Sequence, residues 1–149
     1  MRSFIITLLL VLVSATACSQ QTEKPLAGPV EVATALLEAY NSGDLDGIVA
    51  LYDDTASLYV MPSTTAVYTG KAAIREAYSD QLERNCLGTL RQPCPDLNGR
   101  IVSYQTVGQY VTTVELVTLD ASNPPLFYMI TYQVSQGRIL NAWFMADAG

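Results

Sequence analysis

The stretch that decides the fold runs from Val30 to Tyr78 and reads VEVATALLEAYNSGDLDGIVALYDDTASLYVMPSTTAVYTGKAAIREAY. Apolar residues in Val30–Asn41 recur at the spacing of one helix face, with polar residues opposite. Gly43 is the residue type that ends a helix, and Asp44 can cap the next one. The stretch therefore opens with an amphipathic helix and a capped break.

Two more helices and a strand complete this stretch. A short helix is predicted over Leu45–Tyr52, with its apolar residues on one side. A strand follows the pair Asp53-Asp54, and a third helix begins at Thr69 or Gly70. The pattern predicts three helices early in the chain.

The second half of the chain contains four strand-like runs. Short breaks rich in Gly, Asp, Ser and Pro separate them, as is typical of antiparallel neighbours. Helices grouped before strands indicate an α+β fold. The runs are Arg100–Val107, Tyr110–Leu119, Leu126–Val134 and Arg138–Met145.

Four short motifs stand out along the chain: Gly43-Asp44, Leu51-Tyr52-Asp53-Asp54, Thr69-Gly70 and Gly137-Arg138-Ile139. Their spacing resembles that of the SnoaL-like polyketide cyclase and ketosteroid isomerase group of the nuclear transport factor 2 superfamily. The resemblance implies a cone: a curved antiparallel sheet wrapped around three N-terminal helices, formed by residues 29–149. The group varies widely in activity, so the resemblance gives a fold and a pocket but no reaction.

Composition excludes several classes of function. The chain has 149 residues, enough for one domain, and a net charge of −6 with only eight basic residues. Scattered basic residues on an acidic chain argue against nucleic acid as a partner. The chain has no histidine, which excludes Ser-His and Cys-His nucleophile pairs and any His-assisted metal site. We expect neither a metal nor a cofactor.

The N-terminus is predicted to be a signal peptide over residues 1–17, with Arg2 before an apolar run and a small-residue site ending at Ala17. Cys18 follows directly, which resembles a bacterial lipobox, although ordinary cleavage after Ala17 is the alternative. Residues 18–28 are polar and aperiodic, so they indicate a lipid-anchored tether. The expected location is the cell envelope, on the outer or cytoplasmic membrane, facing the periplasm or the exterior.

Two cysteines remain once Cys18 carries lipid. Cys86 and Cys94 are then an even pair in a compartment that permits disulfides, and we expect a bond between them. Two free thiols are the alternative, and two sulfurs without a nearby histidine make a poor metal site.

Alternation along the strands predicts which residues line the cone. In Leu126–Val134 the even positions are apolar or aromatic and are expected to face inward. The even face is also expected inward in Tyr110–Leu119, which puts Glu115 outside. In the last strand the two faces are equally apolar, so its inward face is left open. An outward apolar face suggests a homodimer through the sheet, as is common in the resembled group.

The isomerase branch implies three reactive positions: a base at Val60, an oxyanion tyrosine at Leu36 and a protonated acid at Ile130. None of these residues can move a proton, and the Asp53-Asp54 pair is expected to be ordinary turn acids. The pocket is therefore expected to be mostly apolar with a few hydroxyls. Its predicted lining is Leu36, Tyr40, Tyr52, Leu58, Val60, Tyr78, Thr112, Val114, Tyr128 and Ile130.

Three functions remain open at this point. The leading interpretation is non-catalytic binding of a small apolar ligand, or docking of a partner protein, in the cell envelope. The second is an isomerase, cyclase or hydrolase that uses pocket tyrosines and an acid not yet identified. The third is a structural lipoprotein with a filled core. An inward cavity with a buried carboxyl group of raised pKa would favour the enzyme.

Overall fold

The computed structural model describes residues 27–85, 98–118 and 124–146. The described chain forms three helices and six strands, with all three helices before β3 along the chain. This confirms the predicted α+β fold. The helices are α1 (Pro29–Ser42), α2 (Leu45–Ala50) and α3 (Gly70–Asn85), and the strands are β1 (Tyr52–Val60), β2 (Tyr68–Thr69), β3 (Asn98–Val107), β4 (Tyr110–Thr118), β5 (Leu126–Ser135) and β6 (Arg138–Ala146).

The break between α1 and α2 has the predicted chemistry. Gly43 adopts a left-handed conformation with φ of 68°, and the Asp44 side chain accepts a hydrogen bond from the Gly47 N–H. The second helix is shorter than predicted. It ends at Ala50, and Tyr52 starts β1 instead, so the prediction of a helix to Tyr52 is wrong by about half a turn.

The six strands form one sheet in the order β2-β1-β6-β5-β4-β3. Neighbours are antiparallel except β1 and β6, which run parallel. Turns at Gly108-Gln109 and Gln136-Gly137 join the successive hairpins, and both glycines have positive φ. The first and last strands of the chain are therefore neighbours in the middle of the sheet.

Helices α1 and α3 pack on the concave face of the sheet. Leu36 of α1, together with Ile74 and Leu82 of α3, is buried against that face. Asn41 ties the end of α1 to β3, because its side chain both donates to the Gly99 carbonyl and accepts from the Gly99 N–H. The helices thus close one side of the sheet and leave the other side to solvent.

The inward face of β4 is the reverse of the predicted one. Val111, Thr113, Glu115 and Val117 are buried, whereas the predicted even positions face outward. The prediction that Glu115 lies outside is therefore wrong. It rested on alternation, with the even positions taken as the inward face. The cost of burying the carboxyl group is offset here by hydrogen bonds from Thr113 and Tyr132. The even face of β5 points inward as predicted, with Ile130, Tyr132 and Val134 buried.

The ambiguity of the last strand has a structural cause. The pairing of β5 with β6 shifts register between the Val134–Ile139 and Gln133–Asn141 pairs, so Leu140 is an extra residue. Ile139 faces inward before the shift, and Ala142 faces inward after it. The odd-numbered positions therefore face inward before the shift, and the even-numbered positions face inward after it.

Cys18, Cys86 and Cys94 lie outside the described residues, as do the signal peptide and most of the tether. The lipidation and the disulfide accordingly stay predictions. Within the described residues, no helix combines the length and apolar character needed to cross a membrane.

Candidate functional site

A cavity of about 50 Å³ lies between the concave face of the sheet and helices α1 and α3. Most of its wall is apolar or aromatic, and Glu115 is the one carboxylic acid among the lining residues, which also include four tyrosines. At roughly 10–15 Å³ for each water molecule, the cavity has room for roughly three to five of them. The lining residues are Leu36, Leu37, Tyr40, Tyr78, Gln81, Glu115, Val117, Tyr128, Ile130, Tyr132 and Phe144.

Glu115 is the buried acid of this cavity, with 4% of its surface exposed. Thr113, two residues earlier on the same face of β4, donates from Oγ1 to Glu115 Oε1 at 2.7 Å. Tyr132, on the adjacent strand β5, donates its hydroxyl to the same Oε1 at 3.3 Å. Both bonds go to Oε1, so neither occupies Oε2.

Burial raises the pKa of Glu115 above the ordinary glutamate value, and the two hydrogen bonds from Thr113 and Tyr132 partly oppose this by favouring the charged form. A carboxyl group with a raised pKa exchanges a proton closer to neutral pH than a surface glutamate does. This is the condition that suits a carboxyl group to general acid–base chemistry.

The tyrosines around the acid form a hydrogen-bonded and edge-packed group. The hydroxyls of Tyr52 and Tyr78 lie 2.7 Å apart, and the ring of Tyr40 meets Tyr78 edge-on with centroids 6.3 Å apart. Burial raises the pKa of Tyr52, Tyr78 and Tyr132 well above the usual tyrosine value. These phenols therefore stay protonated and can serve as hydrogen-bond donors.

Five of the predicted pocket residues line the cavity, and the other five do not. Leu36, Tyr40, Tyr78, Tyr128 and Ile130 form part of its wall. Whether any of them binds a ligand stays a prediction.

The other five predicted residues lie elsewhere for three different reasons. Tyr52 and Leu58 are buried in the core outside the wall, with Tyr52 bonded to a lining tyrosine. Val60 is 49% exposed at the end of β1. Thr112 and Val114 are on the outward face of β4, because the strand faces the other way.

Sequence reasoning missed six of the lining residues. The important ones are Glu115 and Tyr132, because they supply the acid and one of its donors. An isolated acid between Val114 and Leu116, with a threonine two residues earlier, was the available signal. The full set is Leu37, Gln81, Glu115, Val117, Tyr132 and Phe144.

The acids Asp53 and Asp54 do not belong to this site. Asp53 accepts hydrogen bonds from the backbone N–H and the hydroxyl of Thr55, which lower its pKa, and Asp54 pairs with Lys71 at 2.8 Å. Both acids are absent from the cavity wall. Both lie in β1 rather than in the expected turn before it, and they make local and surface contacts there.

The model of the SnoaL-like domain family matches residues 33–142, and the chain belongs to this family. The match spans α1 to β6 and therefore includes every residue of the cavity wall except Phe144. A search of the curated proteins finds no match.

Solved structures show the same fold at low identity. A cystatin-fold protein from Novosphingobium aromaticivorans is similar with a TM-score of 0.61 and 22% identity, over 79% of this chain and 97% of that chain. An NTF-2 like protein from Burkholderia xenovorans matches with a TM-score of 0.60 and 15% identity, over 78% and 80%. An epoxide hydrolase from M. tuberculosis matches with a TM-score of 0.60 and 14% identity, over 80% and 82%. These likenesses show the fold alone.

Proposed function

We propose that the protein is an enzyme that takes a small, largely apolar molecule into the cavity and exchanges a proton with it through Glu115. The observation that carries the proposal is the buried Glu115 carboxyl group inside an apolar, tyrosine-lined cavity. Its Oε1 is held by Thr113 and Tyr132, so Oε2 is the atom assigned to the ligand.

The geometry supports acid–base chemistry in the isomerase, cyclase or hydrolase classes. The carboxyl group has a raised pKa, and the neighbouring phenols can donate hydrogen bonds to charge that develops on a substrate. Relatives of similar fold include an epoxide hydrolase, which fits this range of reactions. The reactive group differs from the isomerase pattern, since Val60, Leu36 and Ile130 occupy the positions implied by that resemblance.

The experiment that tests this proposal compares the wild-type protein with Glu115→Gln, both purified from their own cell envelope. Gln keeps the size of the side chain and an acceptor oxygen but cannot exchange a proton. We expect native mass spectrometry to find a small molecule retained by the variant. That molecule should be chemically changed on incubation with the wild-type protein and unchanged with the variant. A molecule that binds the wild-type protein and is never changed would contradict the proposal.

Non-catalytic binding is the second candidate, because a mostly apolar wall with a few hydroxyls suits a bound ligand. The cavity is well below the roughly 300–1,000 Å³ of a typical small-molecule site, so either function accepts only a small ligand. The same comparison distinguishes the two, because a binding protein would release its ligand unaltered from both forms. In either case we propose that the domain is exported and held at the cell envelope by lipid on Cys18.

We further propose a homodimer through the outward face of the sheet. The central outward residues of β4, β5 and β6 are uncharged, and Phe127 and Met129 are 51% and 41% exposed. Such a face has the composition of the core of a protein interface. These outward residues are Thr112, Val114, Leu116, Phe127, Met129, Thr131, Gln133, Asn141, Trp143 and Met145.

A further inference from the structure

None of the basic residues whose side chains the structure describes forms an ion pair with Glu115. Lys71 and Arg75 form ion pairs with surface aspartates, and Arg138 donates to the Ala50 carbonyl. Arg100 pairs across the sheet with outward-facing Leu116 and is exposed. Buried carboxylates in proteins are normally paired with a cation or neutralised by a proton. In the described part of the protein, the counter-charge for Glu115 is therefore left to a ligand or a proton.

The wall around the carboxyl group is suited to a cation. Tyr40, Tyr78, Tyr128, Tyr132 and Phe144 all line the cavity, and aromatic rings attract ammonium groups through their electron-rich faces. The whole chain carries a net charge of −6, which attracts cations and repels anions on approach. The polar groups of the described wall are the Glu115 carboxyl group, the phenol hydroxyls and the Gln81 amide, and none of them carries a positive charge.

We propose that the molecule accepted by this cavity carries a small aliphatic amine, bound as its ammonium form with its nitrogen at Glu115 Oε2. This inference rests on the proposed function and specifies its substrate class. The alkyl part of the amine packs against the apolar wall formed by Leu36, Leu37 and Ile130. The cavity accepts an amine of only a few non-hydrogen atoms without rearrangement.

The chemistry that follows is a single proton transfer. The ammonium N–H bond breaks, its proton forms the O–H bond at Oε2, and the electron pair stays on nitrogen. The products are a neutral carboxylic acid and a neutral amine, and an apolar cavity favours this neutral pair relative to the same transfer in water.

Binding of isobutylamine and isobutanol to the purified protein tests the inference, because the two probes match in size and shape and differ in charge. Affinities are measured at pH 7 by NMR chemical-shift titration. We expect the amine to bind the wild-type protein at least about tenfold more tightly than the alcohol. Glu115→Gln should reduce that preference to less than about threefold, since the charge is lost. Glu38→Gln, which removes the same charge from an exposed position on α1, should retain it.

Each other result overturns the inference in a distinct way. If isobutanol binds as tightly as isobutylamine, the inference that the ligand is an amine is refuted. The proposed acid–base function of Glu115 is not affected by that result. A preference that survives in Glu115→Gln would place the amine elsewhere in the protein. If neither probe binds, the amine inference fails. The proposed function is then judged separately by the native mass spectrometry comparison. Circular dichroism of each variant verifies that it is folded.

Discussion

Replacing Thr113 by valine removes one hydrogen bond from Glu115 while keeping the shape of the side chain. The Thr113 side chain has no exposed surface, and its Oγ1 donates to Glu115 Oε1 at 2.7 Å. Valine fills the same volume, so no cavity forms. The change therefore removes the bond to the acid together with the longer 3.4 Å bond from the same hydroxyl to the Ile130 carbonyl.

The size of the effect depends on the charge of Glu115. A hydrogen bond to a charged acceptor contributes about 1.5–3 kcal/mol, and one to a neutral acceptor about 0.5–1.5 kcal/mol. Burial gives Glu115 a raised pKa, so the group is neutral below the ordinary value of 4.5 and becomes charged only above its raised pKa. Thr113→Val should thus cost about 1.5–3 kcal/mol of unfolding free energy at pH 8 and about 0.5–1.5 kcal/mol at pH 4. Loss of the bond should also raise the pKa of Glu115 further.

Urea unfolding at the two pH values measures these costs, and Thr112→Val is the matched control. Thr112 is the preceding residue, faces outward, and bonds at 2.9 Å to Thr131 rather than to an acid. Its replacement should cost a similar small amount at both pH values. If Thr113→Val shows no greater cost at pH 8 than at pH 4, the assignment of the Thr113 hydroxyl to a charged carboxylate is refuted.

Four further changes test other parts of the structure. Because the pKa of Glu115 is raised, its contribution to stability is complete below pH 4.5 and is lost as pH rises through the raised value. The wild-type protein should therefore lose stability relative to Glu115→Gln by up to about 1.4 kcal/mol per pH unit in that window, measured by urea unfolding. If the difference in unfolding free energy between the two proteins does not change with pH, this expectation is refuted. Tyr52→Phe removes the 2.7 Å bond to Tyr78 and should cost about 1–3 kcal/mol in thermal unfolding, whereas an unchanged melting temperature would contradict the bond. A methyl group at Gly99 would lie 2.7 Å from a leucine carbon of α1, so Gly99→Ala should cost about 1–3 kcal/mol, and full stability would show that the contact relaxes freely. Light scattering should show a dimer for the wild-type protein and a monomer for Met129→Asp. A monomeric wild-type protein would contradict the proposed interface.

The helical half of the fold was predictable because its signals are local. The spacing of apolar residues in α1, the left-handed Gly43 and the cap at Asp44 depend on neighbours within a few residues. The family resemblance then supplied the curved sheet. The parallel pairing of β1 with β6 involves residues far apart in sequence, and no local signal encodes it.

The site was less predictable, because strand faces depend on partners across the sheet. The two faces of β4 are nearly equal in apolar content, so alternation did not distinguish them, and the even face predicted to point inward is the wrong one. Glu115 is buried because Tyr132, on the next strand, reaches its carboxyl group. The extra residue in β6 also breaks strict alternation. Both features require the pairing of strands to be known first.

The most direct test of the account is the titration of the Glu115 carboxyl group itself. Carbon-13 NMR of the side-chain carboxyl, assigned by its loss in Glu115→Gln, follows its ionisation across the pH range. Burial inside the cavity predicts a midpoint above the ordinary value of 4.5. A midpoint at or below that value would show a solvated or ion-paired carboxylate and would contradict a proton-exchanging acid in the cavity.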